Sequence, residues 1–482
     1  MGRRILKFYK KSTRCLEFKV FNIIIIYGLK IQKSRWEHDF NWKWKSYYTN
    51  DDSNTFIENG CIAIEGNIIK EVGETSEIKC KYANNYDEFI DAKGKLIMPG
   101  MINTHHHIYS AFARGLDLKN PPAETFIDIL KNVWWRIDKK LSLEDIRYSA
   151  YTTLIESIKN GVTTIFDHHA SPMSVEGSLF AISNVADELG IRGCYCYEVS
   201  DRDGQKILKQ GINENIDFIK YANTKDDDMT KGMFGMHASF TLSHESLEKC
   251  REAMNGIDAG YHIHVSEGIE DLKNSLRYSG KRTVERLMDY GILGDKTIAG
   301  HCVHVNDAEL DILKDTNTSV VNNPESNMGN AVGVAPVIKM IDKGIRVGIG
   351  TDGYTSDIFE SMKVENIIHK NNLCDSNVGF METSKMAFHN NKEIASKYYK
   401  NPLGVLEEGA YADIIIVDYN PMTPMDKNNY FGHILFGVSG RSVDTTIING
   451  KVVMKDRVLV NVDEELIYRK SRKVAEKLWK RL

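Results

Sequence analysis

The stretch Leu96-Ile97-Met98-Pro99-Gly100-Met101-Ile102-Asn103-Thr104-His105-His106-His107 runs from apolar residues into three histidines. It reads as a buried strand whose carboxyl end carries the cluster. Successive strand side chains point to opposite faces, so His105 and His107 share one face and His106 points away. Two imidazoles projected together can grip one metal ion, because neutral imidazole is a good ligand for zinc or iron. Taken alone, three adjacent histidines also fit a solvated polar patch.

The same grammar recurs downstream. Gly260-Tyr261-His262-Ile263-His264-Val265-Ser266-Glu267 is a second apolar run ending in histidine, with an acid three residues after His264. Ile298-Ala299-Gly300-His301-Cys302-Val303-His304 is a third. Val347-Gly348-Ile349-Gly350-Thr351-Asp352-Gly353 places a carboxylate at the end of a β-rich run. Any one of these residues is more often a cap or a hydrogen-bonding group than a ligand. Four strand ends in this order, each offering nitrogen or oxygen donors, point to a metal centre.

Between and around them, roughly over 96–404, apolar β runs alternate with helical stretches. Leu141 to Lys159 is amphipathic and ends at Asn160-Gly161, ahead of Val162-Thr163-Thr164-Ile165-Phe166; Asn213 to Tyr221 precedes a strand into His237; Leu310 to Lys314 precedes Ser319-Val320-Val321. Repeated βα units predict a parallel sheet, open or closed into a barrel. The flanks read differently. Ile62-Ala63-Ile64, Glu65-Gly66-Asn67 and Ile68-Ile69 have a hairpin pattern, and Ala412 to Asp418 and Thr446 to Val453 read as strands with an Asn449-Gly450 turn. Both ends therefore build one small β domain, over 19–95 and 405–482, with the central region inserted. Ile23 to Ile26 is read as a strand, 32–54 as a loop or irregular insertion, and 1–18 as a basic extension; the apolar run Phe21 to Leu29 is too short to span a bilayer.

With 482 residues, two domains are expected. A net charge of −4 removes any electrostatic case for nucleic acid as a partner. The 8 cysteines lack disulfide or zinc-ribbon spacing, and Cys194-Tyr195-Cys196 reads as a strand with two small core residues, which fits a reducing cytoplasm. Neither a membrane nor a nucleic-acid partner is expected, and a homodimer is the default assembly.

The chain resembles the amidohydrolase superfamily, its deaminase and chlorohydrolase branch, over roughly residues 55–460. Within it the chain is most similar to the SsnA group of aminohydrolases. The resemblance is carried by the strand-end histidines, by Asn103 to Gly115 and by Asn323-Pro324-Glu325-Ser326-Asn327-Met328-Gly329-Asn330-Ala331-Val332-Gly333. It implies a (β/α)8 barrel, with the small β-sandwich domain built from both chain ends and the chemistry at the carboxyl ends of the barrel strands. It further implies that His105, His107, His264 and Asp352 hold one divalent ion (zinc first, iron or manganese as alternatives) with an open position for water. Asp352 would also accept the water proton, Glu267 would protonate a ring nitrogen and then the leaving group, and His301 would hydrogen-bond the attacking water or the tetrahedral centre. His304 competes with His301 for that last role.

His237 matches a strand-end histidine that contacts substrate in deaminases, while His168 and His169 are expected to support the pocket from behind. Glu325, Ser326 and Asn327 are candidates for reading the polar edge of the substrate, and Glu325 equally fits a structural ion pair. Binuclear relatives carry a carbamylated lysine where this chain has His237, so one metal is expected. Asn322 stands where relatives commonly have a histidine before Asn-Pro. The implied activity is deamination of an amino-substituted heterocycle, with a purine or pyrimidine catabolite as the leading substrate. Hydrolysis of a cyclic amide, removal of chloride from a related ring, and a non-catalytic scaffold are the alternatives.

Overall fold

The structure is a computed structural model and describes residues 23–27, 46–51, 55–82, 86–119 and 122–482. Residues 1–18, expected as a basic extension, lie outside the described residues.

The opening stretch is two strands rather than one. Leu96–Pro99 pairs antiparallel with Ile414–Val417 in a seven-stranded sheet, and only Met101–His106 enters the parallel sheet of the central region. Gly100 makes the crossing possible: a Cβ there would collide with the Thr163 side chain. The seven-stranded sheet also contains Ser46–Tyr48, so the segment expected as an irregular insertion contributes a strand, paired with Phe56–Glu58.

A second, four-stranded sheet contains Ile68–Glu74, Gly60–Glu65, Ile23–Tyr27 and Glu88–Asp91. Ile26, Ile62, Ile64 and Ile69 from this sheet meet Ile97, Ile414, Ile416 and Ile447 from the other in one apolar core. The alternate residues Leu96, Met98, Ile415 and Val417 join the core that includes the central region. Period-two alternation thus buries both faces of the sheet, one against its partner sheet and one against the barrel. The two hairpin turns touch: Asn67 Nδ2 donates to Asn449 Oδ1 at 3.0 Å, and Gly450, at φ +74°, packs on the Gly66 carbonyl. Both chain ends build this small domain.

The central region is a barrel of eight parallel strands: β1 (Met101–His106), β2 (Val162–His169), β3 (Arg192–Tyr197), β4 (Phe234–Ala238), β5 (Tyr261–Val265), β6 (Ile298–His301), β7 (Ser319–Asn322) and β8 (Val347–Ile349). Continuous pairing covers β1 to β3 and β4 to β8. The circle closes through parallel bridges Val199↔Met236 and His106↔Asp352. Every residue of all eight strands is buried, as side chains filling the barrel on one face and packing under helices on the other require.

The helices are longer than their apolar spacing suggests. Leu143–Lys159 is close to expectation, starting at the Ser142–Asp145 capping box and ending at Asn160. Gln205–Asn223 and Asp307–Asp315 extend beyond the expected cores on polar turns. Arg192 of β3 is fully buried and pairs with Asp413 of the small domain at 3.0 Å, with its guanidinium 4.3 Å from the Tyr411 ring centroid. Leaving one such charge alone would cost about 3–5 kcal/mol, so the pair couples barrel and sandwich. No described helix is long and apolar enough to cross a membrane.

Candidate metal centre and active site

The strand-end residues converge. His105 is the penultimate residue of β1 and His107 follows the strand. Their rings lie 4.9 Å apart, while His106 turns outward to Ser356, as the alternation predicts. His107 Nε2 is 3.1 Å from His264 Nε2 and 3.0 Å from Asp352 Oδ1, and His105 Nε2 is 3.8 Å from the same oxygen. A tetrahedral ion with bonds of about 2.0–2.2 Å requires donors roughly 3.3–3.6 Å apart. The observed spacings bracket that value.

The far side of each ring fixes which nitrogen faces inward. His107 Nδ1 donates to the His168 carbonyl at 2.6 Å and His264 Nδ1 to the His237 carbonyl at 2.7 Å. His105 Nδ1 is 2.7 Å from His262 Nε2. Nε2 of all three rings is therefore left for a ligand, and that of His105 is buried with no hydrogen-bond partner. Burial holds His105 and His264 well below the usual imidazole range, in the neutral form that binds metals. His107 behaves oppositely: burial disfavours its charge, but the Asp352 and Glu198 carboxylates outweigh burial and raise it well above that range. The His107, His301 and His105 rings outweigh burial at Asp352 and hold its carboxyl well below the carboxylate range. The imidazole and carboxylate donors grouped here fit a divalent ion.

Glu267 and His301 complete the floor. His301 Nε2 is 3.7 Å from Glu267 Oε2 and 3.6 Å from Asp352 Oδ2, is fully buried, and has no hydrogen-bond partner. Burial pushes the Glu267 carboxyl up to about 7, so it carries a proton near neutrality. Ser266, His301, Cys302 and Asp352 all adopt positive φ. Non-glycine residues pay for this left-handed conformation, and its clustering at the ends of β5, β6 and β8 marks a site where backbone strain aims side chains. His304 is only half-buried; its carbonyl accepts from Arg282, and it stands outside this group.

His237 lines the pocket, with Nδ1 2.9 Å from Thr241 Oγ1. His168 and His169 are fully buried; His168 groups with His107, Glu198 and His264, and His169 Nε2 is 2.9 Å from Ser171 Oγ. Two sequence candidates are placed elsewhere. Asn327 is buried between His301 and Asn322 and does not line the pocket. Glu325 points to the far side of its helix, near Ser361, where burial pushes its carboxyl up to about 7. Within Pro324–Gly329 each residue turns about 100°, so Ser326 is the one that reaches Asp352, donating to Oδ2 at 2.6 Å.

Sequence reasoning missed four contributors. Glu198, just past β3, lies 3.3 Å from His107 Nδ1 and 3.4 Å from His168 Nδ1 and faces the pocket. It is a strand-end acid, and the rule that found Asp352 would have found it. Trp134 and Trp135 form an apolar wall from the segment after β1, which includes a π-helical turn over Leu130–Trp134. Such turns recur at functional sites, but no residue spacing announces them. Arg202 stacks on Trp135 at 4.9 Å and is held by Asp138, fixing that wall from behind.

Residues 96–453 match the Amidohydrolase family, and the chain belongs to it. It is 33% identical over 430 residues to a 5'-deoxyadenosine deaminase of Methanobrevibacter smithii, covering 87% of this chain and 94% of that protein. It is 32% identical over 428 residues to a 5-methylthioadenosine/S-adenosylhomocysteine deaminase of Caldanaerobacter subterraneus subsp. tengcongensis, covering 88% and 94%. A zinc-bound adenosine deaminase of Xanthomonas campestris superposes with a TM-score of 0.79 at 17% identity, covering 94% of this chain and 98% of that one. The chain is thus a hydrolase of carbon–nitrogen bonds, with the barrel and composite small domain of its family.

Proposed function

We propose that the protein is a mononuclear metal-dependent deaminase of an amino-substituted heterocycle, with a purine as the leading substrate. The observation that carries this reading is the grouping of His105, His107 and Asp352, with His264 Nε2 3.1 Å from His107 Nε2, beside a Glu267 carboxyl that burial pushes up to about 7. The relatives named as deaminases of adenine-bearing nucleosides support the purine ring. Zinc fits the three imidazoles and one carboxylate best, and iron or manganese would also be accommodated. A divalent ion held by these four side chains supplies Lewis acidity that makes water nucleophilic near neutral pH.

The chain's own groups then manage protons. Asp352 accepts one from the attacking water while Ser326 holds its second oxygen. His301 Nε2 hydrogen-bonds the same water and orients it. Glu267 delivers its proton to the ring nitrogen beside the attacked carbon, and the proton held by Asp352 leaves on the amine. The hydroxyl proton of the tetrahedral centre returns to Glu267 as the carbonyl forms, so the sum is ring C–NH2 plus water giving ring C=O plus ammonia, with the proton from Glu267 kept on the ring nitrogen. Trp134 and Trp135 give a flat ring an apolar surface to lie against and exclude solvent from it.

The test is a screen of the metal-replete protein against amino-purines, their nucleosides and amino-pyrimidines, read by ammonia release and ultraviolet absorbance. Stoichiometric ammonia from at least one ring is the expected result. Ring opening without ammonia, chloride release from halogenated analogues alone, or no turnover of any ring would contradict the proposal.

A further inference from the structure

A line of buried hydrogen bonds leaves the active site in one direction. His301 Nδ1 is 2.7 Å from Asn327 Oδ1, and Asn327 Nδ2 donates to Asn322 Oδ1 at 2.9 Å. Asn322 Nδ2 donates to Glu365 Oε2 at 2.6 Å, and Glu365 Oε1 is 2.7 Å from His369 Nε2. All five side chains are buried, at 3% exposure or less. They come from β6, the helix Pro324–Gly329, β7 and the helix Ile358–Leu373.

The polarity of this line follows from its far end. An ionised carboxylate only accepts, so Asn322 must present its amide N–H to Glu365 and His369 must donate from Nε2. The Asn322 oxygen is then the atom facing Asn327, so Asn327 must donate to it and turn its own oxygen toward His301. That oxygen in turn requires a proton on His301 Nδ1. With one ring proton placed on Nδ1 by that bond, the lone pair lies on Nε2, the atom with no hydrogen-bond partner that lies between Glu267 and Asp352. Reversing either amide would set two acceptors or two donors against each other in a buried setting, at about 1–3 kcal/mol for each group left unsatisfied.

We propose that Asn327, Asn322, Glu365 and His369 are positioning residues that fix the tautomer and orientation of His301, so that its Nε2 accepts a hydrogen bond from the attacking water. The idea rests on the role assigned to His301 above. It gives Asn322 a function of its own: an asparagine amide both donates and accepts at the two heavy atoms this line needs. The arrangement is analogous to a carboxylate orienting a catalytic imidazole, with two amides interposed.

The deciding experiment is nitrogen-15 NMR of histidine-labelled, metal-replete protein, with the His301 signals assigned by their loss in His301→Asn. A protonated Nδ1 and an unprotonated Nε2 are expected; the opposite tautomer would overturn the proposal. This readout requires no turnover, so it stands or falls separately from the deaminase assignment. In Glu365→Gln, kcat on the substrate identified by the screen should fall about tenfold, with KM within twofold. That loss should vanish in the His301→Asn background, where the relay has nothing to orient. An undiminished kcat in Glu365→Gln, or an equal loss in both backgrounds, would also overturn it. Should the glutamine variant fail to fold, the wild-type spectrum decides.

Discussion

Glu267→Gln is expected to lower kcat by about 10²–10⁴-fold while leaving bound metal unchanged, the range over which a positioned acid or base acts. The glutamine fills the same space but carries no transferable proton. Glu267 is not one of the four proposed ligands: it hydrogen-bonds Asn330 and lies 3.7 Å from His301 Nε2, and the three inward-facing imidazoles are held by other groups. Burial is what keeps the native carboxyl protonated near neutrality, and that protonation is what the glutamine removes. Steady-state kinetics beside metal analysis of the same preparation makes the check. Unaltered turnover would remove Glu267 from proton transfer.

His264→Ala is expected to strip the metal and abolish turnover together. His264 Nε2 lies 3.1 Å from His107 Nε2, and alanine leaves two imidazoles and a carboxylate. Even partners behind a metal ligand commonly contribute 10–100-fold in affinity, so loss of a ligand should exceed about 100-fold. Metal content after dialysis against a weak chelator reads the effect, with circular dichroism confirming that the barrel persists. A full metal complement in the variant would exclude His264 from the ligand set.

Much of this site is legible in the sequence because a parallel barrel gathers strand ends, whatever their separation along the chain. His105, His264, His301 and Asp352 all follow apolar runs, and the fold brings them together. Less legible is where one sheet stops and another starts. Leu96 to Ile102 is a single apolar run, yet Gly100 divides it between two domains for a reason that lies in Thr163, far away in the chain. Distance along the chain also hides Glu365 and His369, which reach Asn322 only because their helix packs against the barrel. Conversely, Glu325 and Asn327 sit in the segment most suggestive of substrate contact, and helical rotation turns both away from the pocket. Proximity to a motif says little about direction on a helix, whereas alternation on a strand, as at His105 to His107, predicts direction well.

The account as a whole depends on one ion bound at one place. Metal-free protein titrated with zinc should take up one equivalent per chain, with turnover rising in proportion until that equivalent is reached. Turnover that persists in the stripped protein, or zinc uptake that shows no saturation at one ion per chain, would contradict it.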